Sequence, residues 1–293
     1  MLLAVPNFSD GRDRAAIDAI SEAFSRDAEL LDRHSDETHN RTVLTLAPMP
    51  DRLTSTLLAG ARACLERIDM RTHEGAHPCV GALDVCPAVW TATRDRSGAG
   101  EAAIEVAIAI GELGVPVFLY GELASDLRRA ERAFFRGGGL PELRRRMLEG
   151  ELAPDFGPAE PHPSAGATLI TARPPLAAFN LLLDTADTEV ARSVAGGLRE
   201  SGGGLGGVRA MGVDLAGRAQ VSTNVHDPVA VPLGVVIDRV RVLAAEHGAR
   251  PIEGEVVGLV PEAAVRDLPD DLVLPGFDPE LHVIERRTAR PPR

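Results

Sequence analysis

The residues best equipped for chemistry lie in Arg71-Thr-His-Glu-Gly-Ala-His-Pro-Cys79, where His73, Glu74 and His77 stand a few positions before an apolar run that reads as a buried strand. A loop at a strand end is a common place for catalysis. Two histidines four apart could ligate a metal, but Gly75 and Pro78 work against the helix that would present both rings on one face. A histidine held by the backbone for structural reasons also fits. General acid/base work remains, and an imidazole that titrates near neutral pH suits it. A second cluster, Asp32-Arg-His-Ser-Asp-Glu-Thr-His-Asn-Arg41, reads as a polar turn between two strands. It is either solvated or able to orient a neighbouring histidine and hold an anion through Arg41.

Other segments carry less. Ser201-Gly-Gly-Gly-Leu-Gly-Gly207 follows a helix where a phosphate loop would follow a strand, and it lacks the lysine and Ser/Thr of that motif, so it reads as a flexible connection. Gln220 to Asn224 alternates as an ordinary strand, and Gly137 to Gly139 reads as a turn.

The elements that must position these residues follow from periodicity. Leu2–Val5 is a strand and Asp13–Ser25 a helix. Glu29–Asp32 and Thr42–Leu46 are strands around the turn Ser35–Asn40. Arg52–Ile68 is a helix, and Leu83–Val89 a closing strand. That order, β-α-β-β-α-β, is the ferredoxin-like pattern. Glu101–Leu113 satisfies both a helical and an alternating period, and its length and glutamates favour helix. Val115–Tyr120 is a strand and Ala124–Leu148 an arginine-rich helical stretch, with a linker at Pro154–Pro163. The order then recurs: a strand within Ala167–Leu183, helix Thr188–Glu200, strands Val208–Leu215 and Ala219–Val225, helix Leu233–Glu246 and strand Glu255–Val260. The end from Glu285 to Arg293 is expected to fray. The expected architecture is α+β, two ferredoxin-like (split βαβ) subdomains with facing sheets and outer helices, divided as 1–160 and 161–293.

Composition narrows the function classes. The 293 residues are 44% hydrophobic, 25% charged and 3% aromatic, so a globular chain must pack its interior with aliphatic side chains. The net charge of -12 speaks against nucleic acid or an anionic membrane as partner, yet leaves room for an anionic small molecule in a local arginine pocket. All 31 basic residues are arginine, which removes Schiff-base chemistry on a lysine. Cys64, Cys79 and Cys86 lack metal or disulfide spacing, which points to reduced thiols, no metal and a cytoplasmic setting. The opening Met1–Pro6 has no basic leader, and no run reaches the ~18 apolar residues a membrane span needs.

Taken in order, several segments resemble the formiminotransferase family. Val5-Pro-Asn-Phe-Ser-Asp-Gly-Arg12 is similar to the family's VPNFSEGR, His39-Asn-Arg-Thr-Val43 to HNR(S/T)V, and Ile68-Asp-Met70 to IDM. His77-Pro-Cys-Val-Gly-Ala-Leu-Asp-Val-Cys-Pro87 is similar to HPRxGALDVCP. Pro116-Val-Phe-Leu-Tyr-Gly-Glu122, Pro154-Asp-Phe-Gly-Pro158, Ala178-Phe-Asn180, Gln220-Val-Ser-Thr-Asn224 and Val257-Gly-Leu-Val-Pro261 follow in register. The resemblance implies a glutamate formimidoyltransferase of histidine degradation and one-carbon metabolism. Such an enzyme moves the formimidoyl group of N-formimidoyl-L-glutamate to N5 of tetrahydrofolate, a co-substrate, without metal. It further implies His77 as catalytic acid/base with Asp36 assisting. Asn7, Asn40, Arg41, Gly81, Asp84, Asn180, Gln220 and Asn224 are implied as substrate or folate contacts, and a homodimer as the assembly.

The chain departs from the family pattern at four places. Cys79 stands for the arginine of HPR, His34 for an aspartate and Leu182 for a second asparagine, and Arg136-Gly-Gly-Gly-Leu-Pro141 replaces RxGEYE. A catalytically lapsed folate-binding homologue, and a transferase using another formimidoyl donor, are the alternative readings.

Overall fold

The computed structural model describes residues 1–289, which form two compact units, Met1–Pro174 and Pro175 onward. In the first unit the chain begins as two short strand segments, β1 (Leu2–Ala4) and β2 (Asn7–Phe8), that act as one strand broken at Pro6. Helix α1 (Arg14–Phe24) follows, started by the Asp13 carboxylate accepting from the backbone N–H groups of Ala15 and Ala16. Then come β3 (Ala28–Asp36), β4 (Arg41–Pro48), α2 (Leu53–Arg67) and β5 (Leu83–Trp90). The strands run in the order β3, β4, β1/β2, β5, all antiparallel, which is the ferredoxin-like order the sequence suggests.

The sheet continues past β5. Helix α3 (Arg96–Gly111), β6 (Val117–Leu119), α4 (Ala133–Arg136), α5 (Gly139–Leu148) and β7 (Thr168–Arg173) belong to the same unit, with β7 parallel to both β5 and β6. The ambiguous Glu101–Leu113 segment is helical, because Ala99, Ala103, Val106, Ala107 and Ile110 make one buried stripe at helical spacing. Val106 and Ile110 of the apparent alternation belong to that stripe, whereas Ile104 is only partly buried and Ile108 is exposed, so the two-residue period does not follow the buried face. The stretch expected to be helical over Ala124–Leu148 is broken: a 3-10 turn at Leu127–Arg129 precedes α4, and Gly138 with φ of +76° separates α4 from α5.

The second unit repeats the plan: β8 (Ala177–Leu183), α6 (Thr188–Leu198), β9 (Val208–Asp214), β10 (Ala219–Val225), α7 (Leu233–Ala245) and β11 (Pro251–Val256), in sheet order β11, β8, β10, β9. Phe179, Leu181 and Val221 on one sheet face pack with Val194, Leu198, Ile237 and Val240 of the two helices. Short helices α8 (Glu262–Val265), α9 (Pro279–His282) and α10 (Ile284–Ala289) complete it, so the expected frayed end is helical to Ala289, and 290–293 lie outside the described residues.

Two strand assignments shift. The single strand expected within Ala167–Leu183 is two, β7 in the first sheet and β8 in the second. The last strand starts at Pro251 rather than Glu255, because β11 pairs with β8 from Leu183 to Phe179, while Val260 exchanges hydrogen bonds with His282 and Ile284 instead. Among the described residues no helix is long and apolar enough to cross a membrane.

Candidate active site

Backbone geometry stitches the two polar clusters of the sequence together. Strand β3 runs on to Asp36, which leaves a turn at 37–40 before β4. Asn40 takes a left-handed conformation (φ +47°), and its side-chain amide accepts from the Gly11 N–H at 2.9 Å and donates to the Glu74 carbonyl at 2.9 Å. Ala76 N–H donates to the Thr38 carbonyl, and Gly75 sits so close to the His39 carbonyl that a Cβ there would lie 2.5 Å from it. The 71–79 loop is thereby clamped over the end of β3 and β4, and His77 arrives beside Arg41.

His77 is half-buried, open neither to bulk solvent nor to a hydrocarbon core. One Arg41 guanidinium nitrogen lies 3.3 Å from its Nδ1 and 3.1 Å from its Nε2. A single nitrogen cannot align with both ring lone pairs, so the guanidinium lies against the ring rather than in its plane. The His39 ring meets His77 edge-on at 6.2 Å between centroids. Burial pushes the His77 pKa well below the usual imidazole range, and the charges of Arg41, Arg136, Arg132 and His39 push it the same way. The ring is therefore a neutral imidazole, able to accept a proton.

Asp36 reaches His77 only through His39. Its carboxylate binds His39 Nδ1 at 2.9 Å and accepts the His39 backbone N–H at 2.7 Å. Burial raises its pKa, but the His39 ring and the backbone N–H groups of His39 and Thr38 outweigh that and hold it at about 2. It is a carboxylate at any working pH, and it fixes the orientation of a buried histidine.

The other face of β5, β6 and β7 is covered by α4 and α5. Phe135 is fully buried among Val85, Phe118, Leu143 and Leu169. Arg132 and Arg136 lie three residues before and one after it, on the same helical side, and this packing delivers both guanidinium groups to the His77 region. Arg136 donates to Asp84, whose second oxygen accepts the Val80 N–H at 2.8 Å; the side chains of this pair are 9% and 3% exposed. Burial, then Arg136 and Arg132, lower the pKa of Arg41 to about 10, and burial lowers that of Arg173, at the end of β7, to about 10. The positive charge that the family's HPR arginine would bring is thus supplied by other arginines. Burial, then Asp84, raise the Cys79 thiol to about 11, which keeps it protonated.

The remaining expected contacts of this unit divide clearly. Asn7 donates to the Val5 carbonyl at 2.9 Å and bridges the break between β1 and β2. Gly81 is buried, with room for no side chain, since a Cβ would fall 1.8 Å from the Ala167 carbonyl oxygen. Asn40, Gly81 and Asp84 hold the loops that carry His77 and Arg136. Among the described residues no group of three or more metal-ligating side chains occurs.

In the second unit, Gln220 and Asn224 share one face of β10, opposite the face packed on helices. Asn180 of β8 lies across from Ser222 and Glu255, and donates to Glu255 at 2.8 Å. Gln220 is 4% exposed, and its side-chain carbonyl has no hydrogen-bond partner among the described residues; directly opposite stands Leu182, where the family motif carries asparagine. Sequence reasoning missed His39, Arg132 and Arg136 around His77, and Glu255 as the partner of Asn180. His39 lies inside the quoted HNR segment, but the arginines sit in a basic run where nothing local separates one from the next.

The formiminotransferase domain N-terminal subdomain profile matches residues 1–173, and the formiminotransferase domain profile matches 178–270. The chain is 36% identical over 287 residues to a glutamate formimidoyltransferase of Streptococcus pyogenes serotype M1, with 96% of each chain covered. It is 36% identical over 294 residues to one of Thermoplasma acidophilum, covering 98% of this chain and 96% of the relative. It is 40% identical over 279 residues to the formimidoyltransferase-cyclodeaminase of Sus scrofa, covering 90% of this chain and 50% of that protein. With both profiles matched in order and relatives aligned along nearly its whole length, this chain belongs to the formiminotransferase family.

Proposed function

We propose that the chain is a glutamate formimidoyltransferase, which transfers the formimidoyl group of N-formimidoyl-L-glutamate to N5 of tetrahydrofolate in histidine degradation. Family membership supports the reaction class, and the names of full-length relatives support the donor. The observation that carries it is the His77 ring set against the Arg41 guanidinium, 3.1 Å from its Nε2, in a half-buried position. N5 of the folate attacks the amidine carbon and forms the new C–N bond, and His77 takes the proton that N5 must lose. The imidazolium so formed stands beside Arg41 and is a strong acid, so it gives the proton to the departing glutamate nitrogen as the old C–N bond breaks. One imidazole serves both steps.

Asp36 acts as a positioning residue through His39, and Arg41 holds anionic substrate beside the ring. Asn180, Gln220 and Asn224, on the polar face of their own sheet, are read as further substrate contacts on the strength of the family motifs they belong to. Asn7, Asn40, Gly81 and Asp84 serve by holding backbone and charge in place. The free cysteines and the acidic net charge fit an enzyme of soluble metabolites in the cytoplasm, and a homodimer is the assembly that the family resemblance implies. The test is to incubate the protein with both substrates and follow 5-formimidoyltetrahydrofolate by absorbance. Wild type should turn over, and His77→Ala, with its fold verified by circular dichroism, should lose about 10²–10⁴-fold. The proposal is lost if wild type forms no product while an active relative does, and the role of His77 is lost if the variant keeps full rate.

A further inference from the structure

The charges around His77 are not matched. Arg136 is paired with Asp84, and Asp36 is engaged by His39. Among the described residues Arg41 has no carboxylate partner, and its buried Nε has no hydrogen-bond acceptor. The side chain of Arg132 makes no hydrogen bond and no ion pair among the described residues; Tyr120, Asp84, Glu131 and the like-charged Arg136 act on it only through space. Arg129, three residues earlier, shows what a structural arginine looks like in the same segment. It is ion-paired to Asp155, and its guanidinium lies 5.8 Å from the Phe118 ring centroid and 5.7 Å from that of Phe135. A half-buried guanidinium stays charged and is costly without an anion, and its planar fork fits a carboxylate.

Resting on the function proposed above, we infer that Arg41 and Arg132 are the receptors for the two carboxylates of the donor, and that Arg132 makes the site select dicarboxylate over monocarboxylate donors. The chemistry of the donor sets the assignment. The nitrogen protonated by His77 is bonded to the same carbon as the α-carboxylate, so that carboxylate must lie next to the ring, where Arg41 is. The γ-carboxylate is displaced by the length of the side chain and falls to Arg132, which stands one helical turn before Arg136, itself fixed on Asp84 at the start of β5. The carboxylates of tetrahydrofolate do not compete for this place. They lie beyond the aminobenzoyl group, at the opposite end of the molecule from N5, so they cannot stand beside His77 while N5 reacts there. A bound dicarboxylate also neutralises the arginines that disfavour the imidazolium, so the correct donor prepares its own acid/base.

The test compares glutarate and butyrate, a dicarboxylate and a monocarboxylate of similar size, binding to the whole chain by calorimetry, alongside donor and folate kinetics. Wild type should bind glutarate more tightly than butyrate. Arg132→Gln should weaken glutarate and raise the KM for N-formimidoyl-L-glutamate by about 10- to 100-fold, the worth of a hydrogen-bonded charge. It should leave butyrate affinity and the tetrahydrofolate KM within about twofold. Arg132→Lys should restore part of the loss, and neither variant should melt below wild type. The inference is overturned if wild type does not prefer glutarate, if Arg132→Gln leaves glutarate affinity unchanged, or if the tetrahydrofolate KM rises in place of the donor's. Arg132-dependent glutarate binding in a protein without transferase activity would remove the proposed function and leave this site standing.

Discussion

Replacing Arg136 by methionine should strand a carboxylate that the fold cannot easily do without. Asp84 is 3% exposed at its side chain and sits at the start of β5; one oxygen is bound by Arg136 and the other by the Val80 N–H. Methionine keeps the length and apolar stem of arginine but offers no donor, so Arg136→Met leaves a buried negative charge with one backbone partner. Breaking a buried pair in this way costs about 3–5 kcal/mol. For a unit of this size each kcal/mol moves the midpoint by about 2–4 °C, so thermal unfolding followed by far-ultraviolet circular dichroism should fall by about 6–20 °C. The double variant Asp84→Asn/Arg136→Met should recover at least half of the loss, because the asparagine oxygen can still accept from Val80 and no charge remains. Arg132→Gln, which removes an unpaired cation, should cost nothing. The reasoning fails if the single variant melts within about 2 °C of wild type, or if the double variant is no more stable than the single.

Three further outcomes follow from the same geometry. His77 has a folded pKa below that of a free imidazole, so the acidic limb of kcat/KM should lie below about pH 6.5; Arg41→Gln, by removing a neighbouring cation, should move it upward, and a limb that stays put would sink the electrostatic account. Asp36 is lowered from 3.8 to about 2, so its stabilisation is present above 3.8 and is lost as pH falls through about 2. Asp36→Asn should therefore cost about 1–2 kcal/mol by urea titration at pH 7, discounted for partial solvent access, with the difference from wild type shrinking toward pH 2; a constant difference across that range would contradict it. Gln220→Leu removes a buried carbonyl that lacks a donor, so the midpoint should hold or rise by the equivalent of up to about 1 kcal/mol while a substrate KM increases; a loss above about 2 kcal/mol would show that the amide serves the fold.

The burial stripes were legible locally. The apolar periods of the strands and helices specify two successive β-α-β-β-α-β patterns without any knowledge of contacts, and the structure adds the carboxylate caps, Asp13 before α1 and Asp187 before α6. The family motifs singled out His77 and Arg41, which the structure sets side by side, for the same reason: both lie in short segments whose residue order is distinctive by itself. What misled was equally local. Ile104, Ile108 and Ile110 mimic an alternating strand because a helix that is apolar on several sides also satisfies a two-residue period, and the buried alanines that decide the matter carry little hydrophobic signal.

The amino-acid order by itself carried the ferredoxin-like pattern of each unit and the motif that singles out His77, because each is written in periodicity or in contiguous residues. Only the tertiary structure decided that Asp36 serves His39, that Asn40 and Gly81 hold backbone, and that Arg132 lacks the counter-ion Arg129 enjoys. These are properties of distance between segments: Asp155 and Asp84 reach Arg129 and Arg136 across 26 and 52 residues, and nothing in a run of arginines states which of them a remote carboxylate will find. The charge left over when those pairs are made is carried by Arg41 and Arg132, and the carboxylate contacts inferred above rest on it.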